Sequence, residues 1–405
     1  MTSEDGPTAG GRTTDAPFVS LAPKLGYSPP LDGLRGLSVT LIILVHASFE
    51  PFGSFAGSVD VFFVVSGFLI TTLLLEEDRR AGRVNLRRFY GRRALRLLPL
   101  LYAVLLGTLL ATAAIYVAFG KRELFDKALG DVAAAGTYVY HVFHPVHSEL
   151  VGGGPPEIRP LLHLWSLSVE EHFYLVGVLV VLVVVRRKWV TQAALVFVAI
   201  WAAIGVARLL GHVGPLFAWY QRPESLLVGV TMAFVNARLP GELSERAGRN
   251  IRLGGSIATA VLLAVMFIGT WFAKPFGLFV PFLVEKGGDL RDQMYWGRFG
   301  FTIVSGCMAA IVLMLARFPA HPVGRVLSWK PLTVLGVRSY AIYLLHVPIG
   351  VLLMETLGKK APALALLAYL PLLAVSVEAA HRLVEKPALR IKLKMAEPGS
   401  SGAGR

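Results

Sequence analysis

Apolar segments of membrane-crossing length recur along this chain, at about 36–51, 59–77, 97–119, 164–185, 189–211, 223–237, 254–274, 297–316, 332–355 and 361–381. A helix rises about 1.5 Å per residue, so roughly 20 apolar residues cover the ~30 Å hydrocarbon core of a bilayer. Inside hydrocarbon every backbone amide must find its partner within the protein, and a continuous apolar run of this length meets that demand as a helix. Composition agrees: 55% of the 405 residues are hydrophobic and 16% are charged, against about 25% charged in soluble globular domains. The predicted fold is all-α, a polytopic integral membrane protein of about ten transmembrane helices in one bundle.

The net charge of +14 needs no nucleic acid to explain it, because the basic residues lie between the apolar segments. The loop after the second segment carries Arg79, Arg80, Arg83, Arg87, Arg88, Arg92, Arg93 and Arg96. Placing that loop in the cytoplasm puts Arg186–Lys188, the Arg238 to Arg252 group, Arg325 with Lys330, and the basic tail on the same side. Both termini are then cytoplasmic, and residues 120–163 face outward. The count requires 128–142, a short stretch containing Asp131, to lie at the outer face or re-enter rather than cross. Residues 1–30 are rich in Gly, Pro, Ser and Thr, without the apolar core of a cleavable signal peptide. They read as a disordered cytoplasmic tail, followed by a membrane domain over 31–388 and a basic, flexible tail over 389–405. The single cysteine, Cys307, sits in an apolar run, which excludes an intramolecular disulfide and a cysteine metal site.

Titratable groups mark three of these segments. In LDGLRGLSVTLIILVH (Leu31–His46), about 100° per residue places Asp32, Arg35, Val39, Ile42, His46 and Glu50 on one stripe. Arg35 and His46 then lie roughly 16 Å apart along it. An ionisable group within the membrane is a functional-site candidate by default, and a hydrogen bond to a neighbouring helix is the competing explanation for His46. In HLWSLSVEEHFYL (His163–Leu175), Glu170 and Glu171 fall about 7 to 9 Å below an interfacial Trp165, a depth that matches His46 on its own helix. A histidine and a carboxylate at one depth are what a general-base pair requires. Glu170 shares the more polar face with His163, Ser166 and Tyr174 and is the favoured acid; Glu171 lies with Leu164, Ser168 and Leu175. Either carboxylate could instead pair structurally with an arginine.

In RRFYGRRALRLLPLLY (Arg87–Tyr102), Arg88, Arg92 and Arg96 form an i, i+4, i+8 stripe with Arg93 beside it. Planar guanidinium groups suit the phosphates of a nucleotide-bearing donor, and the same arginines also serve as topology determinants and headgroup contacts. VDVFFVVSGFLIT (Val59–Thr71) places Asp60 at the start of its helix and Ser66–Gly67 mid-membrane, a spot for close helix packing. His141, His144 and His147 offer metal ligands, but Pro145 breaks their helical face. RSYAIYLLHVPI (Arg338–Ile349) carries Ser339, Tyr340, Tyr343 and His346 as a packed polar seam or a catalytic group.

Taken in this order, the segments and the closing VEKP (Val384–Pro387) resemble the acyltransferase-3 family of membrane O-acyltransferases, over about residues 30–388. The resemblance implies a ten-helix core and an acyl-CoA donor, acetyl-CoA by default, taken from the cytoplasm. It implies an acceptor hydroxyl on a glycan, a glycolipid or a glycosylated metabolite. By position it makes His46 the catalytic histidine, Arg35 its partner, Arg92, Arg93 and Arg96 the donor-side arginines, and Glu170 and Glu171 the acidic pair. His172 stands where many members carry glutamine, which alters a local hydrogen bond. Without the C-terminal hydrolase-like domain through which some members relay the acyl group, the membrane part is expected to complete transfer alone or with a partner. No permanently bound cofactor, metal or nucleic acid is expected. A proton-coupled transporter also uses intramembrane His, Glu and Arg, and stays open as the alternative, beside a non-catalytic scaffold.

Overall fold

The computed structural model describes residues 18–46, 57–143, 159–210, 222–267, 299–358 and 361–394, and among them there is no strand. The described residues of each of the ten apolar segments fall mainly in a helix: α1 (Pro29–His46), α2 (Ser58–Ala81), α3 (Leu86–Phe119), α6 (Leu162–Arg186), α7 (Val190–Leu209), α8 (Pro223–Arg238), α9 (Glu245–Phe267), α10 (Phe301–Arg317), α13 (Ser339–Leu357) and α14 (Ala363–Arg390). Two short helices, α4 (Arg122–Gly136) and α5 (Tyr140–Phe143), follow α3, and α11 (Pro322–Leu327) and α12 (Lys330–Val337) precede α13. Among the described residues six helices are long and apolar enough to cross a bilayer: α2, α3, α6, α7, α13 and α14. In α1 and α9 charged residues of the first turns, Asp32 and Arg35 in one and Glu245 and Arg246 in the other, shorten the apolar run, while α8 and α10 are 16 and 17 residues long.

The bundle is closed by small residues. Gly67 of α2 lies against the Leu226 carbonyl of α8, and Gly229 of α8 lies against the Val64 carbonyl, so a Cβ at either position would strike backbone. Ser66–Gly67 is thus the close-packing point that the sequence suggested. Gly33 and Gly36 of α1 meet the carbonyls of Leu327 and Leu332 in the same way, and Gly336 of α12 meets that of Asp32. Around them Val39, Phe63, Leu101, Leu164 and Leu344 are fully buried, joining α1, α2, α3, α6 and α13 into one core. These are the helices that carry the candidate site residues.

Helix α4 folds back along α3. Tyr116 stacks on Phe125 near the turn, and Tyr102 donates to the Gly136 carbonyl at 3.0 Å. Tyr102 stands about 25 Å along α3 from its end at Phe119, so this segment runs back alongside α3. Asp131, fully buried, is bound by Arg159 at 2.9 Å.

Residues 18–28, expected as part of the tail, lie extended across the ends of α2 and α8. Leu21 donates to the Ala237 carbonyl at 2.7 Å, Leu25 to Glu76 at 2.7 Å, and Arg79 donates to the carbonyls of Ser20 and Ala22. Basic helix ends gather on this same face: Arg186 of α6 binds Asp78 of α2 at 2.9 Å, and Arg317 of α10 caps the carbonyls of Asn236 and Leu239 at the end of α8. Residues 1–17 and 395–405, and with them most of both expected tails, lie outside the described residues.

Candidate active site

Arg92, Arg93 and Arg96, expected on the donor side, are projected from the first turns of α3, which Asn85 starts by accepting the Arg88 amide at 2.9 Å. From there the three guanidinium groups diverge. Arg92 turns to Glu77 of α2 at 3.3 Å. Arg93 makes a two-pronged pair with Glu171, at 2.6 and 3.3 Å, and its guanidinium lies 3.1 Å over the ring of Tyr174. Arg96 comes within electrostatic reach of Arg35 and Asp32 on α1. All three line one cavity of about 600 Å³, together with Lys24, Arg79 and Arg80.

The two glutamates have different partners. Glu171 is held by Arg93, the structural pairing that competed with a functional one. Glu170 takes hydroxyl donors instead, from Ser66 of α2 at 2.5 Å and from Tyr174 one turn along its own helix. Tyr174 and Glu170 share the polar face expected of them. Arg35 sits 4.0 Å from Asp32, with its guanidinium 5.9 Å from the ring of Phe62, and it is also within electrostatic reach of Glu170. His46 is the last residue of α1; its side chain, like Glu50, His144 and His147, lies outside the described set.

The backbone beneath the glutamates departs from α geometry. Phe173–Gly177 form a π turn inside α6, and Tyr90 of α3 donates to the carbonyls of Tyr174 and Leu175 at 3.2 Å each. A π turn loosens the i to i−4 ladder and frees carbonyls for outside donors, and such turns concentrate at functional sites. Next to Glu171, His172 bonds to His141 of α5 at 3.3 Å. Burial pushes His141 down to about 4, with His172 adding to the shift, so it is neutral at ordinary pH. Among the described residues no group of three or more His, Cys, Asp or Glu could hold a metal ion.

Toward the other end of α6 lie residues that sequence reasoning weighed lightly or missed. Tyr343 donates to the His163 carbonyl at 2.5 Å and pairs with Ser166 at 2.6 Å, while the rings of His163 and His346 meet at 4.9 Å. Tyr340 donates to the Leu97 carbonyl at 2.8 Å. RSYAIYLLHVPI therefore forms the polar seam between α13, α6 and α3. Asp60 is fully buried against Arg222 and Ser225, and Arg208 binds Glu224 at 2.6 Å. The Arg222 guanidinium lies between the rings of Trp165 and Phe301, at 5.1 and 4.1 Å. Asp60 was visible as a charge at a helix start, but nothing local to Arg222 or Arg208 announced their partners.

All of the candidate residues fall within residues 30–380, the stretch that matches the Acyltransferase domain family. The chain belongs to the acyltransferase-3 family. Among similar members of the acyltransferase-3 family, O-acetyltransferase OatA of Staphylococcus aureus is 30% identical over 371 residues, covering 89% of this chain and 57% of that protein. Peptidoglycan O-acetyltransferase OatA of Listeria monocytogenes is 33% identical over 341 residues, covering 80% of this chain and 49% of that protein. The chain spans about half the length of the curated relatives it matches. No solved structure matches it.

Proposed function

We propose that this chain is a multi-pass membrane O-acyltransferase with ten crossings and both termini in the cytoplasm, which moves an acetyl group from acetyl-CoA to a glycan hydroxyl. The observation that carries the reading is the arginine-lined cavity, two of whose wall residues, Arg93 and Arg96, also reach the acidic pair and Arg35. Its volume is that of a small-molecule site, and guanidinium groups match the pyrophosphate and 3′-phosphate oxygens of coenzyme A. The acceptor class comes from the relatives, one of which is named for peptidoglycan.

In this reaction His46 takes the proton of the acceptor hydroxyl, and the oxygen attacks the thioester carbonyl carbon. The C–O bond forms as the C–S bond breaks, and the thiolate leaves with the proton returned by the imidazolium. Glu170, held by two hydroxyls, is the carboxylate placed to balance charge beside Arg35. Glu171 positions Arg93 at the cavity wall.

The test is free-thiol release by the purified full chain given acetyl-CoA and a peptidoglycan fragment, with mass spectrometry of the glycan. Acceptor-dependent release is expected, and His46→Ala should abolish it while the protein stays folded. Removing a charge-assisted phosphate contact by Arg96→Ala should weaken donor binding about tenfold or more, with Arg96→Lys restoring it in part. Normal turnover by folded His46→Ala protein would end the mechanism. A proton-coupled transporter built from the same side chains would release no thiol.

A further inference from the structure

A second basic cavity, of about 680 Å³, opens on the same face as the donor-side arginines, on the far side of the extended segment: Pro23 lines this one and Lys24 lines the other. Arg246, Arg249 and Arg252 of α9 line it, with Arg317 and Phe318 from the end of α10. Glu245 also lines it, so four guanidinium groups face one carboxylate. Arg317 spends its donors on protein, on the Asn236 side chain and the carbonyls of Asn236, Leu239 and Pro240. Arg252 lies 5.0 Å over the ring of Phe318. Arg246 and Arg249 hold no ion pair among the described residues, so their charge is available to a ligand.

The surface below the cavity suits a ligand with an apolar half. Arg249, Leu253, Ile257 and Val261 follow one another at i+4 along α9. The three apolar members stand open, with 57%, 55% and 40% of their surface exposed. From Arg249 to Val261 this ridge is about 18 Å long, close to one leaflet of the ~30 Å hydrocarbon core. A water-soluble phosphate would have use for the arginines but none for the ridge.

We infer that this cavity holds the phosphate headgroup of an anionic glycerophospholipid whose acyl chains lie along the exposed ridge of α9. Guanidinium groups bind phosphate oxygens with paired donors, and the leaflet at this face would supply the lipid. The site is separate from the donor cavity, so its fate does not depend on the proposed reaction.

The experiment is native mass spectrometry of the purified full chain released from nanodiscs of mixed phosphatidylglycerol and phosphatidylcholine. Wild-type protein is expected to retain phosphatidylglycerol at least about tenfold over phosphatidylcholine. R246Q/R249Q/R252Q protein should lose that preference while its affinity for acetyl-CoA stays unchanged. Should the triple variant fold poorly, R246Q and R249Q, both exposed positions, are each expected to reduce retention. Retention unchanged in the folded variants would overturn the assignment. So would displacement of the lipid by glycerol 3-phosphate at equal concentration, because the apolar ridge would then contribute nothing. A loss of acetyl-CoA affinity in the variants would also overturn it, by making the cavity part of the donor site.

Discussion

Glu170 and Glu171 are neighbours in sequence, yet their partners assign them different work. Glu171 and Arg93 form a largely buried, two-pronged pair, and removing one member of such a pair strands the other, at a cost of about 3–5 kcal/mol. Glu170 is bonded by two hydroxyls, and an amide in its place still accepts from Ser66 and Tyr174. We therefore expect Glu171→Gln and Arg93→Ala to lower the thermal midpoint clearly. Glu170→Gln should leave the midpoint within a degree or two and reduce turnover per folded molecule by roughly 100-fold, the lower end of what a lost electrostatic contact to the reacting groups costs. Thermal scans paired with active-site-normalised rates decide it, and equal stability losses in both glutamine variants would remove the distinction. The face that Glu170 shares with Tyr174 was legible from helical spacing alone. That Arg93 selects Glu171, and that Ser66 selects Glu170, was not, since the partners come from α3 and α2, 78 and 104 residues away.

At the level of elements, helix positions were legible because apolar length is a local property, whereas the contacts between helices rest on shape. The crossing of α2 on α8 depends on Gly67 and Gly229 facing backbone. A backbone carbonyl cannot rotate away as a side chain can. Gly67→Ala should thus cost about 3 kcal/mol through overpacking and lower the yield of folded protein, whereas Gly107→Ala, whose new Cβ meets nothing within 4 Å, should not. The contact of α5 with α6 makes a different prediction. His141 falls from an ordinary value of 6.5 to about 4 in the folded protein because of burial and His172. A depressed histidine stabilises the fold fully above pH 6.5, and that contribution is lost as pH falls toward 4. Wild-type protein should lose thermal stability over this window, and His141→Gln should flatten the slope there. An unchanged slope in the variant would show that His141 titrates alike in both states. His141 reads from sequence as one of three loosely spaced metal candidates, because its partner His172 lies on another helix, 31 residues away.

Across the whole molecule, one end of the bundle collects the basic ends of α2, α6 and α8, the start of α3 and the extended segment over residues 18–28. Charge alternation along the sequence anticipated this polarity, since the positive-inside rule depends on loop composition and not on how helices pack. The extended segment itself was not legible. Its Gly, Pro and Ser content resembles a disordered tail, and what holds it are backbone bonds to Arg79, Glu76 and Ala237, far along the chain. Lys24 at the rim of the arginine cavity makes its sidedness matter for the proposed function: if the donor is acyl-CoA, which is made in the cytoplasm, the cavity is expected to open there. The face carrying the Arg79–Arg96 loop is therefore expected to be cytoplasmic, with α4 approached from outside. In a Cys307→Ser background, Arg83→Cys, at an exposed loop position, should resist an impermeant thiol reagent in intact cells and react once the membrane is opened. Glu123→Cys, whose side chain is 83% exposed at the start of α4, should react in intact cells. The two positions lie beyond opposite ends of α3, so reversal of both results would invert the bundle and turn the arginine cavity away from acyl-CoA. Labelling of both from outside would mean that α3 does not cross, and a ten-helix path could not stand.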